Sequence, residues 1–184
     1  MPLETIFTIY NLVEVIWIIL PAYAANGLVP LFKGKHPVDG GRKFFDGRPF
    51  LGPGKTWEGL FFGSVIGIII SIVMLTAHPY LPWDISPVPL YIAPMSIQLG
   101  FLLGFGAIIG DMAGSFIKRR LNIPRGRPAP VLDQDDFVLG SLFFASLVVA
   151  IKFEWIILAL IITPIFHFIA SVIAYKLKIK KEPW

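Results

Sequence analysis

The sequence predicts an all-α integral membrane protein with five transmembrane helices in a single domain, residues 1–184. Three observations support this fold class. Hydrophobic residues make up 55% of the chain and charged residues 15%, with a mean hydropathy of +0.73, which is far from the balance of a soluble globular domain. Several apolar runs are long enough to cross about 30 Å of hydrocarbon. The basic residues gather in alternate connecting segments.

Five apolar runs are predicted to form the helices. They lie near residues 6–31, 57–77, 93–117, 137–151 and 155–175. The fourth run is short, and the segment "KFE", Lys152 to Glu154, is predicted to be a tight turn that joins the fourth and fifth helices as a hairpin. The absence of cysteine excludes disulfides, thiolate metal sites and cysteine nucleophiles.

The positions of the basic residues predict the orientation of the chain. Of the 16 Lys and Arg, all but Lys152 fall in two polar loops, about residues 32–56 and 118–136, or in the tail after the fifth run. Cytoplasmic segments carry an excess of Lys and Arg. We therefore expect the N-terminus outside, the C-terminus in the cytoplasm, and both polar loops on the cytoplasmic side of a cell membrane.

Glycines recur at intervals of four residues in the second and third runs. Small residues at this spacing let helix backbones approach closely in lipid, where packing contacts replace the hydrophobic drive. Helix packing is the favoured role, and a route for substrate access is the alternative. The glycines are Gly59, Gly63 and Gly67 in the second run and Gly106, Gly110 and Gly114 in the third.

Asp111 is predicted to lie inside the membrane. It precedes Lys118 by seven residues, or about 10 Å along a continuous helix. An ionisable group at that depth is expensive and is a candidate functional residue. Asp111, Ser115 and Lys118 would share one helical face. The alternative is a structural ion pair between Asp111 and Lys118 or Arg119.

Three acids precede the fourth run. Asp133 and Asp136 are three residues apart, so they would share a face of a helix that begins near them, while Asp135 would point elsewhere. Capping of the helix N-terminus is the alternative role. Together with Asp111, these acids could supply carboxylates for a hard cation such as Mg²⁺, whose shell is completed by water and phosphate oxygens.

The first polar loop is rich in Gly, Pro and basic residues, a composition that can wrap phosphates. Its "GPGKT" segment is not a Walker A motif, because that motif requires glycine where this chain has Pro49. Lys55 and Thr56 lie at the start of the second run, where a cation and a helix N-terminus can meet an anionic ligand. An interfacial lysine followed by an N-cap threonine is an equally good interpretation of the spacing.

The charged residues of the second loop resemble the signature of the membrane CTP-dependent phosphatidate cytidylyltransferases, or CDP-diglyceride synthases. The residues that carry this resemblance are Asp111, Ser115, Lys118, Arg119, Asp133 and Asp136. The first loop, "DGGRKFFDGRPFLGPGKTWEGL", is similar to that of the archaeal branch, the CDP-archaeol synthases. The bacterial signature has a His-Gly-Gly segment where this chain has "PAPV", so the bacterial diacyl substrate is not carried over.

The resemblance implies transfer of CMP from CTP to a lipid phosphate, with release of pyrophosphate and with Mg²⁺ as cofactor. The expected lipid is a glycerol phosphate with two ether-linked geranylgeranyl chains. Implied catalytic residues are Asp111, Lys118, Asp133 and Asp136, of which the three acids would hold the metal. Residues implied to bind the nucleotide or phosphates are Lys55, Thr56, Ser115, Arg119, Arg125 and Arg127.

Three other functions fit the sequence less well. A CDP-alcohol phosphotransferase would need a D-x-x-D-G-x-x-A-R string, which the sequence lacks. A small transporter or channel commonly shows internal repeats and broken helices at the midplane, whereas the polar residues here gather at one surface. A polybasic lipid-binding scaffold leaves the acids unexplained. CTP, a lipid phosphate and membrane lipids are therefore the expected partners, and no nucleic acid is expected.

Overall fold

The computed structural model describes residues 7–83, 86–125, 127 and 129–176. Within them the chain forms five α-helices, which confirms the predicted all-α class and the number of helices. These are α1, Ile9–Leu28; α2, Trp57–Ala77; α3, Ile97–Arg120; α4, Leu132–Ala145; and α5, Phe153–Lys176. Short 3-10 helices, Val29–Phe32 and His78–Tyr80, extend α1 and α2. The lysines predicted in the tail after residue 176 lie outside the described residues.

Three of the helices are long and apolar enough to cross a membrane, among the residues that the structure describes. These candidate spans are Ile9–Phe32, Trp57–Tyr80 and Ile97–Arg120. α4 has 14 residues, or about 21 Å, which is less than the hydrocarbon thickness. In α5 the apolar part is Phe153–Ile169. Crossing by α4 and α5, and the orientation of the chain, stay predictions.

The connection between α4 and α5 differs from the prediction. Lys152 to Glu154 was expected to be the turn, but Phe153 and Glu154 already belong to α5. The turn is made by residues 146–152, because α4 ends at Ala145. The Ser146 hydroxyl donates to the carbonyl of Phe143 at 2.6 Å, which satisfies one of the acceptors that a helix end leaves free.

α3 is the central helix, and its most extensive contacts are with α4 and α2. Its contact with α2 is made through glycines. A β-carbon on Gly104 would collide with the carbonyl oxygen of Gly63 and would lie 3.0 Å from the Cα atom of Gly67. A β-carbon on Gly100 would lie 2.7 Å from the carbonyl oxygen of Gly67. The two backbones therefore touch, as expected for small residues facing each other in lipid.

The opposite side of α3 uses a second glycine row against α4. A β-carbon on Gly106 would lie 2.6 Å from the carbonyl oxygen of Gly140, and one on Gly140 would lie 2.6 Å from the Cα atom of Gly110. The predicted packing role is confirmed for Gly63 and Gly67 of α2, which lie against α3, and for Gly106 and Gly110 of α3, which lie against α4.

Glu14 and His167 are polar positions within predicted spans to which the sequence alone assigns no role. Glu14 is 2% exposed, and both of its carboxylate oxygens have partners. It accepts hydrogen bonds from the Tyr91 backbone N–H at 2.6 Å, from Lys152 at 2.6 Å and from the Trp155 indole at 2.9 Å. Glu14 therefore fastens α1 to the α2–α3 connection and to the start of α5.

Asp39 organises the first polar loop from within. It is buried, and its carboxylate accepts hydrogen bonds from the backbone N–H groups of Gly41 at 2.9 Å, Leu51 at 2.9 Å and Gly52 at 2.8 Å. Burial acts to raise the pKa of Asp39, but the hydrogen bonds from Gly52, Leu51 and Gly41 outweigh it and hold the pKa below its ordinary value. The loop is therefore a folded unit rather than a free linker.

Arg120, the last residue of α3, holds this loop against the helix. Its guanidinium donates to the Asp46 carboxylate at 2.8 Å and to the carbonyl of Pro49 at 2.5 Å. It also lies over the rings of Phe44 and Phe116, 4.8 and 4.9 Å from their centroids. These contacts combine an ion pair with cation–π attraction, so they fix where the loop sits.

Arg48, a residue of the loop, donates hydrogen bonds to the end of α3. Its guanidinium donates to the carbonyls of Arg119, at 3.4 Å, and Arg120. A cation at these carbonyls adds a donor at the helix end and complements the negative end of the helix dipole.

Gly104→Ala is expected to lower the stability of the protein in detergent by about 1–3 kcal/mol, because the added methyl group meets backbone atoms of α2 that cannot move independently. Thermal unfolding measures this effect. The matched control is Gly27→Ala in α1, where an added β-carbon meets nothing within 4 Å. Equal melting temperatures for the two variants would show that the α2–α3 contact does not need glycine at position 104.

Asp39→Ala is expected to loosen the first loop, since three backbone N–H groups lose their acceptor. Hydrogen exchange over residues 39–52, measured by mass spectrometry, should become faster, while the exposed Lys43→Ala control should leave exchange unchanged. Because the pKa of Asp39 is lowered, its stabilisation is complete above the ordinary carboxyl range near pH 4 and is lost as the pH falls through the lower folded-state value. If exchange in the wild-type protein, corrected for intrinsic rates, already becomes faster at a pH well above 4 as the pH is lowered, this assignment would be contradicted.

Candidate functional site

The site is assembled around the end of α3 that carries the basic residues. The helix is continuous from Ile97 to Arg120, so Asp111, Ser115 and Lys118 lie on one face as predicted. Ser115 is buried and lines a cavity of about 240 Å³ together with Lys118. One helix thus presents an acid, a hydroxyl and a cation to the same region.

Lys55 and Asp111 form an ion pair between the first loop and α3. The alternative interpretation of Asp111, a structural ion pair with Lys118 or Arg119, named the wrong partner, because Asp111 pairs with Lys55. Lys118 is held instead by an acid from α4. The pair to Lys55 places the start of α2 beside the middle of the site.

Lys118 pairs with Asp133 of α4. The second oxygen of Asp133 accepts a hydrogen bond from the Ala129 backbone N–H at 2.8 Å, in the turn before α4. Asp133 therefore ties the turn before α4 to the helix and also contacts α3, but it does not cap the helix, because its backbone donor, Ala129, precedes the N-cap residue Val131. One carboxylate performs both tasks because it has two oxygens.

Asp136 faces α3, on the same side as Asp133. It is 8% exposed, and its Oδ1 accepts a hydrogen bond from the Phe137 backbone N–H at 2.6 Å. Its Oδ2 is buried and has no hydrogen-bond partner among the described residues. The charges of Asp111, Lys55 and Asp133 all act on Asp136, so the three predicted carboxylates share one electrostatic environment.

The donor chemistry of these acids fits a hard cation. Carboxylate oxygens are the protein ligands that Mg²⁺ prefers, and the unpartnered Oδ2 of Asp136 is an open acceptor. Asp111 and Asp133 each give one oxygen to a lysine. Among the residues that the structure describes, no group of three or more His, Cys, Asp or Glu side chains is arranged to hold a metal ion. These carboxylates are chemically suited to Mg²⁺, although in the structure Asp111 and Asp133 form ion pairs with lysines.

Asp135 lies between the two acids in sequence and faces a different neighbour. It is buried, and its charge acts on Tyr23 of α1. This influence on Tyr23 is consistent with the prediction that Asp135 points away from Asp133 and Asp136. Tyr23 in turn shares a hydrogen bond of 2.7 Å with Thr163 of α5.

Thr56 is the N-cap of α2, as one of the two interpretations predicted. Its hydroxyl oxygen accepts a hydrogen bond from the Gly59 backbone N–H at 3.1 Å. A second cavity, of about 440 Å³, lies against this helix start. Its lining includes Lys33, Lys55, Thr56, Ile108, Asp111 and Arg125.

Arg125 connects the two cavities, since it lines both of them together with Pro53, Gly54 and Lys55. Arg119 lines the smaller cavity, and its buried Nε has no hydrogen-bond partner in the described part of the chain. The structure therefore brings together all the predicted site residues except Arg127. Arg127 is exposed on the α3–α4 connection and lines neither cavity.

Sequence reasoning missed the residues that hold the first loop in place: Asp39, Arg48 and Arg120. The Asp-Gly-Gly string at 39–41 is a turn signal that could have singled out Asp39, because Asp side chains bond to nearby backbone N–H groups in such turns. The contacts of Arg48 and Arg120 have no such signal, since their partners are more than 70 residues away in sequence.

Comparison with known proteins supports a single family. Residues 8–184 match the family model described as CarS-like: CDP-archaeol synthase. The CDP-archaeol synthase of Pyrococcus horikoshii is 44% identical over 174 residues, covering 95% of this chain and 98% of that protein. The CDP-archaeol synthase of Methanocaldococcus jannaschii is 43% identical over 172 residues, covering 92% of this chain and 95% of that protein.

A solved structure shares the fold. It is that of an intramembrane enzyme for archaeal membrane lipids biosynthesis, and it is similar to this chain with a TM-score of 0.73 and 36% identity. The similarity covers 87% of this chain and 94% of that chain.

Proposed function

We propose that this chain, which belongs to the CDP-archaeol synthase family, carries out cytidylyl transfer to a lipid phosphate in the site between α2, α3 and α4. The chain is thus a CTP-dependent cytidylyltransferase of archaeal membrane-lipid biosynthesis. The observation that carries the site assignment is the convergence of Lys55, Lys118, Arg119 and Arg125 on two adjacent cavities beside three carboxylates.

The reaction makes and breaks one bond each at the α-phosphorus of CTP. An oxygen of the lipid phosphate attacks this phosphorus, the bond to the bridging oxygen of the β-phosphate breaks, and pyrophosphate leaves. A phosphate monoester with a second pKa of about 6 is largely ionised near neutral pH. The nucleophile therefore needs no dedicated base, and the protein contributes positioning and charge neutralisation.

The cations of the site supply that neutralisation. Lys55 and Lys118 each pair with a carboxylate, and both line a cavity into which phosphates would fit. When a triphosphate enters, its oxygens are stronger partners for these lysines, and Asp111 and Asp133 are released. Arg119 and Arg125 add guanidinium groups suited to phosphate. Thr56 and Ser115 add hydroxyl donors, and Arg127 joins the site only if its loop moves toward the ligand.

Asp111, Asp133 and Asp136 are the residues that would hold Mg²⁺. The ion, when bound, neutralises triphosphate charge and orients the phosphates. The protein's part is to supply carboxylates that are deprotonated and correctly placed. The open Oδ2 of Asp136 supports this assignment, because a buried carboxylate oxygen without a partner is unusual in a finished structure.

The larger cavity suits the lipid phosphate. Apolar Val29 and Ile108 line it beside Lys33 and Lys55, so an anionic head group can sit at its polar part while the chains extend into the membrane. We assign geranylgeranyl ether chains to the lipid substrate because the chain belongs to the CDP-archaeol synthase family. By the positive-inside rule, the site faces the cytoplasm, where CTP is available.

Purified protein is expected to form a CDP-lipid when given CTP, Mg²⁺ and an archaeal ether-lipid phosphate. Mass spectrometry of the products measures this directly, and a parallel reaction with diacyl phosphatidate tests the preference for ether-linked chains. Absence of product from both lipids, with the protein shown to be folded, would overturn the proposed reaction in favour of lipid binding or transport.

Asp111→Asn and Asp136→Asn each remove the charge of a metal ligand, so each is expected to reduce CTP turnover at limiting Mg²⁺ by at least the roughly 10- to 100-fold that loss of an outer-shell partner costs. Part of the loss should be recovered at high Mg²⁺. Asp135→Asn is the matched control, since it changes a buried acid in the same helical turn that faces α1. Normal turnover of the first two variants at limiting Mg²⁺ would remove the metal role from these acids.

A further inference from the structure

The glycine row between α3 and α4 changes its contacts along its length. At Gly106 an added β-carbon would meet only backbone, 2.6 Å from the carbonyl oxygen of Gly140 and 2.9 Å from the Cα atom of Ser141. At Gly110 it would meet the backbone carbonyl of Asp136. At Gly114 it would meet the Asp136 side chain, colliding with Oδ2 and lying 2.7 Å from the carboxyl carbon. The last glycine of the row therefore faces a functional group rather than a helix backbone.

The Asp136 side chain has little freedom to avoid such a collision. The same added β-carbon would lie 2.9 Å from the β-carbon of Asp136, so rotation of the carboxylate alone would not relieve the contact. Asp136 is 8% exposed, and its Oδ1 is already held by the Phe137 N–H. In a close-packed interior, an added methyl group must then displace the aspartate or the helix that carries it.

The oxygen that faces Gly114 is also without a hydrogen-bond partner, as is Oδ1 of the neighbouring Asp135. Oδ2 of Asp136 is buried and makes no hydrogen bond among the described residues, whereas the carboxylates of Asp111 and Asp133 are both paired. Gly114 follows Asp111 by three residues on α3, so the two lie on the same side of that helix. The space at Gly114 thus keeps the open carboxylate oxygen of α4 close to the acid of α3.

We propose that Gly114 is a positioning residue for the reaction: its missing side chain is the space in which the Asp136 carboxylate lies. This inference rests on the proposed function for the role of Asp136. It assigns to Gly114 more than the helix packing that Gly106 provides, because the atoms that a larger residue would displace belong to the site.

A stability cycle tests the contact independently of activity. Gly114→Ala and the matched control Gly106→Ala are each combined with Asp136→Gly, which removes the β-carbon together with the carboxylate, and thermal unfolding is measured without ligand in detergent. Removing the Asp136 side chain is expected to restore most of the stability lost in Gly114→Ala and none of that lost in Gly106→Ala. Equal coupling for both glycines would show that Gly114 serves only packing and would overturn the proposal.

If Gly114→Ala does not fold, the contact is tested by whether the double variant folds. Recovery of a folded protein in the Gly114→Ala/Asp136→Gly double variant would place the collision at the Asp136 side chain and support the proposal. Failure of the double variant to fold would assign the loss to the α3–α4 contact alone and overturn the proposal.

Rates then test the positioning role. At a temperature where the variants are folded, Gly114→Ala is expected to lower kcat on the order of 100-fold, the effect of misplacing a catalytic group by about 1 Å. Gly106→Ala should stay close to the wild-type rate, and KM for the lipid should change little in either variant. A normal rate for Gly114→Ala beside a slow Asp136→Asn would overturn positioning and leave the proposed function intact. A normal rate for Asp136→Asn would refute the role of Asp136 itself, and with it the positioning role of Gly114.

Discussion

The close approach of α3 to α2 on one side and to α4 on the other is the contact on which the remaining structure depends. Glycines let the backbones touch at both interfaces, and a single added carbon would collide with backbone atoms across either one. In lipid this packing replaces the hydrophobic drive that holds helices together in water. Because α3 is flanked so closely, Lys55 at the start of α2 reaches Asp111, and Asp133 at the start of α4 reaches Lys118. The close spacing of the helices therefore brings the charged residues of the site together.

Two groups of charges show how the protein treats ionised residues near lipid. At Glu14, both carboxylate oxygens are satisfied, by Lys152, by the Trp155 indole and by a backbone N–H, so this carboxylate is complete without a ligand and its role is structural. At Asp136 one buried oxygen has no partner within the described part of the chain. An ionised group is costly in such surroundings unless it is paired. The contrast supports a functional assignment for Asp136 and a structural one for Glu14.

The first loop is likewise held by contacts within the protein. Asp39 gathers three backbone N–H groups, and Arg48 and Arg120 fasten the loop to the end of α3. Ordering the loop in advance reduces the conformational entropy that substrate binding would otherwise cost. It also holds Lys55 in a defined position beside α3, so its ammonium group is preorganised to contact the phosphates. Loop order and the Lys55–Asp111 pair therefore contribute to the same end, a preorganised polar site beside apolar helices.

The sequence by itself predicted the class of protein, the five helices and most of the residues that the structure gathers at the candidate site. Apolar runs, glycine spacing and the positions of Asp111, Lys118, Asp133 and Asp136 are local patterns, and a helix converts such spacing directly into a shared face. Only the tertiary structure decided which acid pairs with which lysine, that α4 is a short helix from Leu132 to Ala145, and that Arg127 stands apart from both cavities. It also revealed that Gly114 faces a carboxylate while Gly106 faces backbone, although the two occur in one regular row. The physical reason is that periodicity fixes the direction of a side chain on its own helix, whereas the partner depends on how far neighbouring helices approach and slide past each other.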